Sequence, residues 1–229
     1  MVTADAEKKR SVPPGRARSG RPPKELAGEV EDRILDAARK VFLERGFEGA
    51  SVEEIAETAR AGKPTIYARF ANKQALFAAV LMRHIAEKNT RVANIVPAGE
   101  TVEERLASAG AAVLAEILRS EGVGLTRLGI AEARNFPELG SSVCRIARER
   151  GAETLARLMG EVAESGAEVE CSPNRQAMAA RYFLDFILLP MLMRALSGES
   201  LETLRAEIGS HVSQRVPFFL AACRNGGLR

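Results

Sequence analysis

SVEEIAETARAGKPTIYARFANKQALF, running from Ser51 to Phe77, reads as two short helices joined by a tight turn, with a third helix following at once. Ser51 precedes an apolar-periodic run and Glu54 lies three residues on, the signature of a capped helix start. Val52, Ile55, Ala56 and Ala59 recur at helical spacing, and the pattern stops near Arg60-Ala61-Gly62. A second helix starts at about Lys63. Pro64 fits there, because the first helical turn does not use the N–H that proline lacks. Ile66 and Phe70 supply its inner face, which leaves Lys63, Thr65, Tyr67 and Arg69 to point outward. Asn72 caps the helix that follows.

Charge sharpens this reading. Between Thr58 and Ala86 there is no Asp or Glu, while Arg60, Lys63, Arg69, Lys73 and Arg83 are all basic. An ordinary solvated face mixes both signs. A short helix with a one-signed outer face carrying Thr and Tyr suits a phosphate backbone and a groove. The first-turn N–H groups after Asn72 can hold a further phosphate, with Lys73 beside them.

The segment resembles the DNA-binding domain of the TetR/AcrR family of bacterial regulators. The resemblance rests on Thr65-Ile66-Tyr67-Ala68-Arg69-Phe70 followed by Lys73-Gln74-Ala75-Leu76-Phe77, and covers roughly 34–80. Arg60 stands where the family often has Gly, and Gly62 where it often has a capping Ser. The resemblance implies an all-α chain: an N-terminal three-helix helix-turn-helix domain, then a C-terminal helical bundle for ligand binding and dimerisation. It also implies that the positions matching Tyr67 and Lys73 contact phosphate. The expected DNA-contacting set is Arg21, Lys24, Ser51, Arg60, Lys63, Thr65, Tyr67, Arg69 and Lys73, with base readout falling to the exposed helix tip and Arg69. Lys73→Ala is expected to flatten the salt dependence of binding.

Composition agrees. The chain has 229 residues, 46% of them hydrophobic, 5% aromatic and none Trp. Ala, Leu, Glu and Arg dominate, which favours helix. The net charge of +3 is uneven. Residues 1–24 hold seven cations against Asp5 and Glu7, a net of +5, so the rest of the chain carries −2. Basic charge gathers where a nucleic-acid reader needs it. Cys144, Cys171 and Cys223 are odd in number and far apart, which suits a reducing cytoplasm better than a disulfide framework. With no apolar stretch at the N-terminus, and Asp185 and Pro190 interrupting the most apolar segment, neither a signal peptide nor a membrane span is expected.

Taken in order, residues 1–24 form a basic arm without hydrophobic pattern, in which Arg21 and Lys24 are candidates for the minor groove. The DNA-binding domain is expected over 25–80, its first helix spanning about 27–45. Gly46 stops that helix and Phe47 folds back onto the core. The helix after Asn72 is expected to run to about Asn94, out of the DNA-binding domain. The effector-binding and dimerisation domain then occupies 81–229, with helices near 101–119, 122–134, 137–164, 174–196 and 200–223. Glu132 to Leu139, EARNFPEL, is similar to a phrase of AefR-like C-terminal domains.

The last two helices are the expected homodimer contact. Phe183, Phe186, Ile187, Leu188, Leu189, Met191 and Leu192 cover more than one helix face, so one face can be core and the other needs a partner. Leu201, Leu204, Ile208, Val212, Val216, Phe219 and Leu220 make a second stripe. Pro190 should kink or break its helix. Asp185 is expected to pair with Arg181 one turn earlier, the alternative being a polar contact in the dimer or the effector pocket.

His84 and His211 are the sole histidines, and no metal, nucleophile or dinucleotide motif occurs. Neither catalytic residues, metal nor cofactor is expected. The reading is a cytoplasmic transcriptional regulator, a repressor released from a palindromic double-stranded DNA operator by an apolar small-molecule effector. The alternative is a helical adaptor on the same fold that has lost operator binding. Effector residues are not legible at this level: Phe136, Met159, Met178 and Phe183 could line a pocket or simply be core.

Overall fold

The computed structural model describes residues 24–164 and 173–224, with side chains over 28–161 and 176–224. The arm with Arg21, the side chain of Lys24 and Cys171 lie outside the described residues. All regular structure among those described is helical.

α1 (Lys24–Gly49) departs from helical geometry at Gly46, whose φ of 73° is left-handed and suits a residue without a Cβ. After that break Phe47 turns inward. Its ring lies 5.9 Å from Phe42, 5.1 Å from Phe77 and 5.2 Å from Phe136, centre to centre. α2 (Val52–Ala59) opens on Ser51, whose hydroxyl accepts the Glu54 N–H at 3.0 Å. It closes on Arg60, a non-glycine residue in left-handed conformation (φ 50°, ψ 44°). α3 (Lys63–Tyr67) begins after Gly62 with Pro64 in its first turn. Five residues form no stable helix alone. Burial of Ile66 and of the adjacent Phe70 holds α3 against the domain. Asn72 caps α4 (Lys73–Ala93) by accepting the Ala75 N–H at 2.8 Å.

The remaining helices are α5 (Val102–Ile117), α6 (Ser120–Glu132), α7 (Pro137–Glu164), α8 (Pro173–Phe183), α9 (Leu189–Leu196) and α10 (Leu201–Arg224). A π-helical turn, Leu184–Leu188, joins α8 to α9. The helical run expected over 174–196, with a kink or break at Pro190, is two helices with a register shift between them. The π turn comes just before Pro190, and the residue without an N–H then falls in the first turn of α9, where none is required.

Two apolar cores result. One gathers α1 to α4 around Ile34, Phe42, Ile55, Ile66 and Phe77 and is completed by Leu125 of α6. The other gathers α5, α8, α9 and α10 around Leu114, Phe183, Ile187, Met191 and Val212. α4 serves both, with Leu76, Phe77 and Val80 in the first and Val92 in the second. Gly110 lets α5 close on Phe183: a Cβ there would lie 3.0 Å from the ring.

The α10 stripe expected at a subunit contact lies inside the subunit instead. Leu204, Ile208, Val212, Val216, Phe219 and Leu220 are all buried within the second core. In the preceding run Phe183, Ile187, Leu188 and Met191 form the face that is core, and Phe186 stays outside it. The apolar groups left outside on these elements are Tyr182, Phe186, Met193 and Phe218, and Phe218 is 71% exposed.

Candidate nucleic-acid interface and internal cavity

The reader is assembled from α2, its turn, α3 and the start of α4. Lys63 and Tyr67 are exposed on α3, while Thr65 and Arg69 are half-buried. An Arg69 N–H donates to the Thr65 carbonyl at 3.1 Å, which lays its guanidinium back along α3. Ser51 and Arg60 are exposed at the two ends of α2, and the Ser51 hydroxyl is already engaged as a cap.

The acid-free stretch in sequence does not give an acid-free surface in space. Lys63 pairs with Glu53 of α2, and that contact holds the Glu53 carboxyl below its ordinary range. Arg83, counted among the cations of the stretch, bridges instead to Asp32 and Asp36 of α1 and to Glu87 on its own helix. It serves helix packing, with its charge balanced.

Lys73 has a structural task that sequence reasoning missed. Its ammonium donates to the carbonyls of Phe47 at 2.9 Å, Ala50 at 3.1 Å and Glu48 at 3.4 Å. It also lies 4.6 Å from the centre of the Phe47 ring. These carbonyls end α1, where a helix carries partial negative charge and unsatisfied acceptors. The signal was visible in part: a lysine opening a helix, after a glycine-terminated helix with unused carbonyls.

A cavity of about 600 Å³ lies along α4, walled by α4, α5, α6, α7, the π turn and α9. Most of its wall is apolar, including Leu81, Ile85, Val92, Leu155 and Leu188. Phe136 lines it, whereas Phe183 is core and Met159 and Met178 pack against the second core. Asp185 reaches this wall from the π turn. The Arg181 partner expected for it is not the one it has: it accepts from Arg148 of α7 at 2.9 and 3.1 Å.

His84 also faces the cavity. Gly122 of α6 packs against it so closely that a Cβ would sit 3.2 Å from Nε2. Burial, then the charge of Lys88, lowers the His84 pKa to about 4, so its ring is neutral at pH 7. His211 is buried elsewhere, its Nε2 at 2.8 Å from the Ile187 carbonyl. Among the described residues no cluster of His, Cys, Asp and Glu could hold a metal ion, and no helix is long and apolar enough to cross a membrane.

A helix-turn-helix with a cationic second helix, joined by one long helix to a bundle with an apolar cavity, defines a class of DNA-binding regulators. Comparison with known proteins places the chain within it. Residues 34–80 match the family of bacterial regulatory proteins of the tetR type, and residues 104–225 match the C-terminal domain of AefR-like transcriptional repressors. The HTH-type transcriptional repressor ComR of Escherichia coli K12 is 30% identical over 182 residues, covering 78% of this chain and 85% of ComR. The repressor NemR of the same strain is 25% identical over 62% of this chain and 71% of NemR. A crystal structure of a TetR-family regulator from Mesorhizobium loti superposes with a TM-score of 0.75 at 27% identity, covering 86% of this chain and 97% of that one. The chain belongs to the TetR family and is a DNA-binding transcriptional regulator.

Proposed function

We propose that this regulator is a cytoplasmic repressor that binds a palindromic operator as a homodimer and leaves it when a small molecule enters the cavity along α4. One observation carries the reading: α4 begins at the reader's Asn72 and Lys73 and continues as a wall of the cavity through Val92. A ligand that tilts or straightens α4 moves the reader with it. Only a preference of a few kcal/mol for one conformer is needed to shift the population off DNA.

The proposed contacts with DNA are divided by geometry. Lys63 and Tyr67, exposed on α3, meet the major-groove backbone, with Thr65 behind them and Arg69 reaching the base edges once its guanidinium leaves the Thr65 carbonyl. Lys63 exchanges Glu53 for a phosphate on binding. Ser51 and Arg60 flank the groove, while Arg21 and Lys24 of the arm enter the minor groove. Lys73 contributes its charge and fixes the turn of α1 against α4. The DNA-binding domain is taken as 25–80, with 81–229 serving effector and dimer contact.

The proposed dimer contact uses the outer faces of α8, the π turn and α10, where Tyr182 (49% exposed), Phe186 (46%) and Phe218 (71%) remain uncovered. Paired across a two-fold axis, these helices give an isologous four-helix contact. Two readers then reach successive major grooves on one face of the duplex.

The test is DNA binding by the purified protein to the region upstream of its own gene, with footprinting and a salt titration, followed by a selection of bound genomic fragments. A footprinted palindrome, with log affinity falling steeply with log salt, supports the proposal. Binding that ignores sequence in both experiments overturns it.

A further inference from the structure

Lys88 and Asn89 stand side by side on α4, and both line the cavity. Neither is explained by the packing around it. Among the described residues Lys88 has no carboxylate partner and no hydrogen bond. The Asn89 side-chain nitrogen is buried with no hydrogen-bond partner. Lys88 itself is half-buried. A buried amide without a partner costs free energy, and so does an ammonium that gives up part of its water without gaining a counter-charge. Burial, and the nearby charge of Arg91, push the Lys88 ammonium below the usual lysine value.

The acids around the cavity are already committed or far away. Glu116 is held by Arg91 at 2.6 Å and by Arg119 at 3.6 Å. Asp185 is held by Arg148. Glu132 accepts from Asn135 at 3.0 Å. α6 runs antiparallel to α4 here, with Gly122 against His84 and Gly129 against Leu81. Glu132 therefore lies ten residues further along α6 than Gly122, on the order of 15 Å toward the reader and away from Lys88. The neutral ring of His84, one turn before Lys88, adds no negative charge.

We infer that the cavity takes an apolar molecule bearing one anionic group, with the anion held by the Lys88 ammonium and the Asn89 amide and the apolar body laid along Leu81, Ile85 and Leu188. The inference rests on the cavity being the effector site, and adds the chemistry of what fills it. A cavity of about 600 Å³ lies within the range that encloses a small organic molecule. The anion supplies the counter-charge Lys88 lacks and an acceptor for Asn89. Because both residues belong to α4, the energy of that contact is delivered to the helix that carries the reader.

The experiment is calorimetric titration of the full chain, without DNA, with decanoate, decanol and decylamine below their aggregation concentrations. The same three titrations are made on Lys88→Met, with thermal melting of both proteins as the check on folding. Decanoate is expected to bind wild type at least tenfold more tightly than decanol, with decylamine weakest. Lys88→Met is expected to bring decanoate to the level of decanol while decanol itself changes less than threefold. Equal binding of decanoate and decanol by wild type, a preference for decylamine, no binding of any of the three, or an undiminished decanoate preference in Lys88→Met each overturns the inference. Operator binding is measured on the same preparations without ligand. Its loss would sink the regulator proposal while leaving the calorimetric result standing, so the two failures are separable.

Discussion

The Lys73 ammonium lies 4.6 Å from the centre of the Phe47 ring and donates to the Phe47 carbonyl at 2.9 Å, so the first residue of α4 closes the end of α1. With Ala50 and Glu48 also accepting, its three N–H groups are turned toward the protein. Lys73→Met keeps the stem and removes the charge. It is expected to cost about 2 kcal/mol in urea denaturation, the usual scale for hydrogen bonds from a charged donor. Its effect on the salt slope of DNA binding should fall short of that of Lys63→Ala, which is expected to lower the slope by about 0.9 per reader.

Arg60 ends α2 in a left-handed conformation, its N–H reaching the Ala56 and Glu57 carbonyls. Left-handed backbone strains any residue with a Cβ and is free for glycine. Arg60→Gly is therefore expected to stabilise the chain by about 0.5–1 kcal/mol in the same denaturation assay. If Arg60 also meets the phosphate backbone, the variant binds the operator more weakly while melting at a higher temperature. A gain in stability with unchanged affinity would remove Arg60 from the DNA-contacting set.

His84 gives stability a pH dependence. Burial and the charge of Lys88 hold its pKa at about 4, against an ordinary 6.5, with Arg91 and Arg39 pushing the same way and Glu121 opposing them. The folded chain binds this proton less well than the unfolded chain. His84 thus costs nothing above pH 6.5, and stability is lost as pH falls from 6.5 toward 4. His211 is shifted in the same direction by its own burial. The difference between proteins isolates His84: the melting temperature of wild type should drop further than that of His84→Gln between pH 7 and pH 5.

Phe218 offers a test of the subunit contact without disturbing the core. Its side chain is uncovered, while Phe219 beside it is buried against Phe183 at 5.3 Å between ring centres. Phe218→Asp should leave the melting curve of the monomer fold intact, convert a dimer to a monomer in sedimentation, and weaken operator binding at least tenfold. A dimer that survives this change places the contact elsewhere.

The reader was legible because its signals are local. Ser51 through the Glu54 N–H, Pro64 after Gly62, and Asn72 each act within one turn of themselves, and the structure uses all of them, although the Glu54 carboxylate pairs with Arg45 rather than reaching back to Ser51. What was not legible depends on partners distant in sequence. Lys73 reads as a free cation until the carbonyls of Phe47 to Ala50 are brought beneath it. Asp185 reads as the partner of Arg181 until Arg148 intervenes. The α10 stripe shows the physical limit: a helical period reports that Val212 and Phe219 are covered, not whether their own subunit or another covers them. Lys88 is the same problem reversed, one more lysine on a long helix until the wall around it is seen.

The turn at Leu184–Leu188 is an α-helix that has taken in one residue, with the Leu189 N–H reaching back to the Leu184 carbonyl. One residue is worth about 100° of rotation, so all of α9 is set at a different angle from that of an unbroken helix. The insertion keeps Ile187 and Leu188 inward, Phe186 outward, and Asp185 on the cavity wall. A chain of this lineage can therefore alter what its cavity presents by gaining or losing a single residue there, exchanging a whole face of side chains in one evolutionary step without rebuilding the bundle.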